Sequence, residues 1–388
     1  MRHLWAVMLL ALVAGAARAD EGAERNFTWR TSFETRSVVT DNAFLTPNNK
    51  QTDLGVWMIP RLELDYRTAA AEVGADLGAE IPRYLDHRTL DDNFWRTRVH
   101  GEAGIWPGLS VRLSDDYTPS PITLGAPDDA TSNMSQTNRA EAELRYWREL
   151  PGKRELTFGI TGARFDGDKF DTFVPGPGGD AVMGSFRPNF SEGGGYAELR
   201  NPLNEDHTVL FRTSARYRNY DSSKGSEDLN AEGLLGLQSR LPGGLQLELA
   251  GGFGWLDPRG ENGEPQALGR AELSWVDTSG LAVRLGFQHS MATDLVGNDF
   301  LGTTGRLTVE KSLGAQTSAS VTAFVSALDS KSVHPSHDLF GGTEVVLRRQ
   351  LSRSFQLSLS YRYWDNAGSF AANDFRQSQA SVAISFRR

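Results

Sequence analysis

The chain is 388 residues long and acidic, with 40 Lys+Arg against 49 Asp+Glu, a net charge of −9 and a pI near 5.4. That balance excludes a nucleic-acid partner, whose phosphates demand a basic surface. The absence of cysteine excludes disulfide scaffolds, thiolate metal sites and a lipid-modified N-terminus. A mean hydropathy of −0.41, with no long apolar run past the N-terminus, excludes a helical inner-membrane protein.

The N-terminus carries an export signal. Arg2 and His3 precede the apolar run Leu4–Gly15, and Ala17-Arg18-Ala19 offers the small-x-small site at which a signal peptidase cuts. Residues 1–19 are therefore expected to be removed, leaving one domain over 20–388.

From there a period of two runs to the end of the chain. Phe27, Trp29, Thr31 and Phe33 alternate with Thr28, Arg30, Ser32 and Glu34. Leu245, Leu247, Leu249, Phe253 and Trp255 form the apolar side of a second such segment, and Phe355, Leu357, Leu359, Tyr361 and Tyr363 that of a third. Successive strand side chains point to opposite faces, so each segment has one apolar and one polar wall. Strand centres fall near residues 31, 61, 76, 99, 112, 142, 159, 197, 213, 234, 250, 271, 286, 307, 322, 344, 359 and 381. The glycines Gly193-Gly194-Gly195 and Gly341-Gly342 dilute the pattern in two of these.

The connections alternate in length. Tight turns are read at Trp106-Pro107-Gly108, Leu150-Pro151-Gly152, Pro242-Gly243-Gly244, Thr278-Ser279-Gly280, Leu313-Gly314-Ala315 and Leu351-Ser352-Arg353. Longer polar connections are read over 39–54, 118–135, 166–189, 256–265, 292–302 and 328–336. Short turns at one rim and long loops at the other are the asymmetry of an outer-membrane barrel. The fold expected is thus all-β: a transmembrane antiparallel up-and-down β-barrel of about 18 strands, with 16 as the alternative. An even number puts both ends at the periplasmic rim. The last strand ends in the aromatic Phe386, resembling the signal read by the barrel-insertion machinery, although Arg387 and Arg388 follow it.

Energy decides which wall faces lipid. An arginine at the bilayer midplane of a barrel costs about 2–4 kcal/mol, and the polar parity carries many, so the apolar parity faces outward. Lipid and lipopolysaccharide are then its outer contacts. Trp29, Trp95, Tyr146, Tyr217, Trp255, Trp275, Tyr361 and Tyr363 fit interfacial girdles. The inward parity yields the candidate lumen lining: Arg61, Glu63, Asp65, Glu72, Asp76, Arg96, Arg98, Glu102, Arg139, Glu141, Glu143, Arg145, Arg212, Arg216, Arg270, Glu272, Arg284 and Arg306. Barrels of 16–18 strands enclose an aqueous channel. Trp57, Trp147 and Trp364 share the inward parity and hint at carbohydrate. In the long loop, Phe170, Phe173 and Arg187 are candidates for a constriction.

No catalytic or cofactor site is expected. Asp166, Asp168 and Asp171 match calcium-loop spacing too loosely for a metal site, and no nucleophile elbow or phosphate loop occurs. The paired Asp115-Asp116 and Asp128-Asp129 resemble a barrel protease site only in lying near the outer rim.

The segment Thr40-Asp41-Asn42-Ala43-Phe44-Leu45-Thr46-Pro47, with Leu62-Glu63-Leu64-Asp65-Tyr66-Arg67, Asp91-Asp92-Asn93-Phe94 and Leu113-Ser114-Asp115-Asp116-Tyr117, resembles the outer-membrane β-barrel porins that accompany exopolysaccharide export clusters. The resemblance implies a passive exit pore for a secreted polysaccharide, working with a periplasmic polysaccharide-export protein. The alternatives are a diffusion porin for solute uptake, and a structural or adhesive barrel whose outer loops bind a ligand.

Overall fold

A computed structural model describes residues 26–43, 50–121, 134–167, 170–175, 181–186, 189–221, 227–258, 263–293, 299–330, 337–367 and 374–388. The expected signal peptide, Asp128-Asp129, Asp168 and Arg187 lie outside them.

The strands are β1 (Asn26–Thr40), β2 (Asp53–Arg67), β3 (Ala71–Tyr84), β4 (Phe94–Trp106), β5 (Leu109–Pro121), β6 (Met134–Leu150), β7 (Arg154–Gly167), β8 (Phe170–Pro175), β9 (Ala181–Phe186) and β10 (Asn189–Pro202). They continue as β11 (His207–Tyr220), β12 (Glu227–Leu241), β13 (Leu245–Pro258), β14 (Glu264–Val276), β15 (Leu281–Thr293), β16 (Asp299–Gly314), β17 (Thr317–Ser330), β18 (His337–Gln350), β19 (Phe355–Ala367) and β20 (Phe375–Arg387).

Eighteen of these form one antiparallel sheet in which each strand pairs with its neighbours in the chain, β7 passing directly to β10. The sheet closes because β1 pairs with β2 on one side and β20 on the other, with Phe33 opposite Phe386 and Val39 opposite Ala380. Closure leaves no strand edge with unpaired backbone groups, the condition for a sheet to sit in hydrocarbon. Each of the eighteen sequence-derived centres falls within one barrel strand, including the two that glycine diluted. Gly194 has its own reason: a Cβ there would lie 2.6 Å from the carbonyl oxygen of Ala215 on β11.

The loop read over 166–189 contains a further hairpin. β8 and β9 pair only with each other, Phe170 opposite Phe186 and Phe173 opposite Met183, as a separate two-stranded sheet. The sequence pattern missed it because six-residue strands leave too few alternations to stand out.

All six tight turns read from the sequence lie at one rim, together with the start of β1, the end of β20 and two unforeseen turns at 68–70 and 203–206. Gly108 shows why glycine is needed there. Its φ is +80°, and a Cβ would collide with the carbonyl oxygen of Trp147. The connections at the other rim are longer; three of them, 85–93, 221–226 and 368–374, were not anticipated.

One parity of the strands forms a continuous apolar belt. Phe253, Ile160 and Leu235 are 72%, 67% and 61% exposed, and Trp29, Trp95, Phe211, Val325 and Ile384 are exposed beside them. A belt of this extent is unstable in water and stable against acyl chains. The opposite parity lies on the concave side. There, side chains from strands that are not neighbours meet, as Arg145 on β6 meets Glu102 on β4. Side chains converge in this way only inside a cylinder.

Candidate functional site

The inner wall is the candidate site, and from β2 to β11 it is largely ionic. On β4 to β6, Glu102 accepts from Arg112 at 2.9 Å and Arg145 at 2.8 Å, while Arg98 pairs with Asp116. Glu143 accepts from the Tyr196 hydroxyl at 2.6 Å across β7, and Arg112 lies 3.9 Å away. Arg139 pairs with Glu141 at 3.1 Å and reaches Glu192 on β10 at 3.6 Å. Glu192 also receives Arg216 at 3.7 Å and Arg218 at 2.8 Å, so one carboxylate faces three guanidiniums. This belt joins side chains of five strands, β4, β5, β6, β10 and β11, and reaches across β7 between them.

The remaining residues of the expected lining share that parity in smaller groups. Glu63 on β2 lies opposite Asp76 on β3, which lies opposite Arg98 on β4. Asp65 sits opposite Gly74, and a Cβ on Gly74 would strike the His100 ring, so glycine there makes room for the imidazole. Glu72 pairs with Arg67 at 2.7 Å and Arg96 with Glu80 at 3.0 Å. Arg270 pairs with Glu248; Glu248 and Glu272, opposite each other, line a recess of about 290 Å³ with Arg240 at the short-turn end. Among the described residues, no ion pair holds Arg61, Arg212, Arg284 or Arg306. Arg284 faces Ser274 and Thr308 across its two neighbours, and Arg306 faces Gly286 and Phe324.

The inner wall is therefore lopsided. From β16 to β20 it is mostly hydroxyl and amide, with Thr304 bonded to Ser326 at 2.9 Å, Thr308 to Thr322 at 3.3 Å and Ser360 to Ser381 at 2.6 Å. This sector lies across the ring from the ionic belt, as the strand order requires.

Sequence reasoning missed the loop end of the wall. There the inward parity turns aromatic and buried: Trp57, Phe94, Phe165, Phe190, Phe340 and Trp364 each expose less than a tenth of their surface. Phe165 and Phe190 stack at 4.8 Å with planes 6° apart, and the Arg218 guanidinium lies 4.4 Å above Phe190. Phe340 packs with Trp364 and Phe375. The loop end of the wall thus carries an aromatic collar, built as separate clusters beneath the long loops. The signal was available, since these rings occupy the charged parity at loop-proximal strand ends, where an outward girdle residue would take the other parity. Of the three tryptophans noted in the sequence, Trp57 and Trp364 join the collar. Trp147 is exposed at the opposite rim, its backbone N–H donating to the Gly108 carbonyl at 2.6 Å.

The loops close over this collar in part. Asp53, at the start of β2, accepts from the backbone N–H groups of Leu54, Asp86 and His87 and contacts His87 Nδ1 at 2.8 Å, pinning the 85–93 connection against β2. Asn42 is fully buried and donates to the Arg376 carbonyl at 3.0 Å. The backbone of Phe170 and Phe173 belongs to β8, outside the barrel sheet. Asp115 and Asp116 point to opposite faces, Asp116 inward onto Arg98, so they do not form a paired-carboxylate site.

No protein-family model matches the chain, and no curated protein matches it in sequence. Solved structures do match it in fold. The outer-membrane protein OpdK of Pseudomonas aeruginosa aligns over 93% of this chain and 99% of its own, with a TM-score of 0.51 and 14% identity. A BenF-like porin from Pseudomonas fluorescens Pf-5 gives 0.53 at 13% identity, covering 93% and 99%. OccK9 (OpdG) of Pseudomonas aeruginosa gives 0.53 at 14%, covering 93% and 98%. By its closed sheet, its apolar belt and these likenesses, the chain is an eighteen-stranded transmembrane β-barrel of the Gram-negative outer membrane.

Proposed function

We propose that the chain is a diffusion porin that admits small water-soluble solutes across the outer membrane. The observation that carries this reading is the inner wall: a sealed cylinder, greasy outside, lined within by ion pairs and hydroxyls and carrying aromatic clusters at its loop end. The eighteen charged residues from Arg61 to Arg306 are its proposed lining.

The fold likenesses add weight. They include a BenF-like porin and OpdK, which was also solved with vanillate. Exit of a secreted polysaccharide, implied by the sequence resemblance, has less support. Residues of the resembling segments make bonds that build the barrel: Asp91 accepts from the Tyr84 N–H at 2.6 Å, Asn93 from Arg83 at 3.0 Å, and Asp116 pairs with Arg98. Such a likeness speaks for construction rather than for cargo.

Purified full-length protein in planar bilayers is expected to give stepwise conductance, and proteoliposomes to swell in small solutes with a sharp size limit. A barrel that neither conducts nor admits solute would overturn the reading. Passage of long glycan chains without a size limit would favour the export alternative.

A further inference from the structure

We propose that the collar sector formed by β19, β20, β1 and β2 is a binding subsite for a neutral sugar of one or two rings. The inference rests on the porin reading and names the class of solute.

Three nearly buried side chains in this sector hold polar atoms with no partner. Trp57 is 2% exposed, and its Nε1–H meets no acceptor. Gln377 and Gln379 are 6% and 7% exposed, and neither Oε1 meets a donor. Gln377 is not loose, since its Nε2 donates to the Asn42 carbonyl at 2.8 Å, which fixes the direction of the free oxygen. Buried polar groups are nearly always satisfied, and leaving them bare is unfavourable. A group of such atoms along the loop end of a permeation path is what a passing solute would complete.

Their spacing suits a sugar. Gln379 lies opposite Thr40, and Thr40 opposite Asp53. Four residues on from Asp53, Trp57 directs its Nε1 back toward Gly55, lying 3.5 Å from where a Cβ on Gly55 would stand. On the backbone, Gly55 and Gln379 are two strand spacings apart across the wall and two residues apart along it, a separation of about 12 Å. Gln377 lies opposite Trp364, whose indole lies against Gly342; a Cβ there would collide with the ring.

The chemistry selects neutrality and hydroxyls. At the level of the collar the charges are paired, Arg36 with Glu34 at 2.8 Å and Arg362 with Glu344 of the adjoining β18; Arg61, the guanidinium of β2 without an ion pair among the described residues, lies four residues nearer the periplasmic rim than Trp57. The two amide oxygens, that of Gln377 held in place by its bond to Asn42, repel a carboxylate and accept from hydroxyls. The indole N–H donates to a hydroxyl oxygen, and the aromatic faces take the C–H edges of a pyranose ring. The polar atoms are shut off from bulk water, so a solute reaches them by parting the neighbouring side chains.

The test uses the full chain in planar bilayers with glucose, maltose and, as the anionic comparison, benzoate. Both sugars should interrupt the current in a dose-dependent way, and benzoate should do so weakly. Trp57→Phe removes the N–H and keeps a ring, and Gln379→Met removes the acceptor and keeps the length. Each should raise the half-blocking sugar concentration by about 5–10-fold, the size of one net hydrogen bond. Ser320→Ala, outside the sector, should leave it unchanged. Folding of each variant is checked by its heat-modifiable mobility, and the two independent substitutions keep the test alive if one fails to insert. A conducting channel that sugars do not block, a block that neither variant weakens, or a block by benzoate in preference would overturn the proposal. Absence of any conductance would instead defeat the porin reading itself.

Discussion

Glu192 is the keystone of the ionic belt, and Glu192→Gln separates its charge from its shape. The carboxylate is 8% exposed and faces Arg218, also 8% exposed, at 2.8 Å, while Arg139 and Arg216 lie at 3.6 and 3.7 Å with 42% and 39% of their side chains open to water. The two outer pairs are screened, and each contributes under about 1 kcal/mol. The Arg218 pair is desolvated on both sides, and breaking such a pair costs about 3–5 kcal/mol because a buried charge is stranded. Glutamine retains one acceptor for Arg218, and the cation–π contact with Phe190 at 4.4 Å survives, so the lower end, about 3 kcal/mol, is expected. Urea unfolding followed by tryptophan fluorescence in lipid vesicles measures the loss. The lumen also gains one net positive charge, so the reversal potential in a KCl gradient should move toward anion selectivity. Unchanged stability with an unchanged reversal potential would refute both the buried pair and its place on the conducting wall.

Other predictions follow from the two-faced wall. Leu235→Arg, at the middle of β12 on the apolar belt, should destabilise insertion by about 2–4 kcal/mol, whereas Ser320→Arg on the inner parity of β17 should be tolerated; equal effects in a vesicle-folding assay would invalidate the assignment of faces. Gly342→Ala places a Cβ 2.6 Å from the Tyr363 carbonyl oxygen and against Trp364, an overpacking expected to cost about 1–3 kcal/mol by urea titration. Asp221 lies beyond the end of β11, and its bond from Arg164 holds its carboxyl below the usual carboxylate range. A depressed pKa stabilises above the unfolded value of about 3.9 and is lost as pH falls through the folded one. Wild type should therefore lose somewhat more stability than Asp221→Asn between pH 5 and strong acid, by under about 1 kcal/mol given the exposure; identical acid profiles would refute the pairing.

The sequence by itself determined the strands and their two faces. Alternation in segments such as Phe355–Tyr363 is set by the pleat, a local property that needs no partner, and glycine-bearing turns such as 106–108 separate one segment from the next. The parity of Arg61, Glu102 and Arg216 was legible for the same reason, since a charge on the lipid side carries a penalty that few folds can bear. Tertiary structure alone decided which of those charges meet. Glu192 gathers arginines from β6 and β11, Arg139 and Arg216 being 77 positions apart in the chain and brought together only by curvature and register. The aromatic collar belongs to the same class. Trp57, Phe190 and Trp364 each look like an ordinary strand residue in their own segment, and they become parts of one collar because closing eighteen strands sets their inward side chains at the same end of the cylinder.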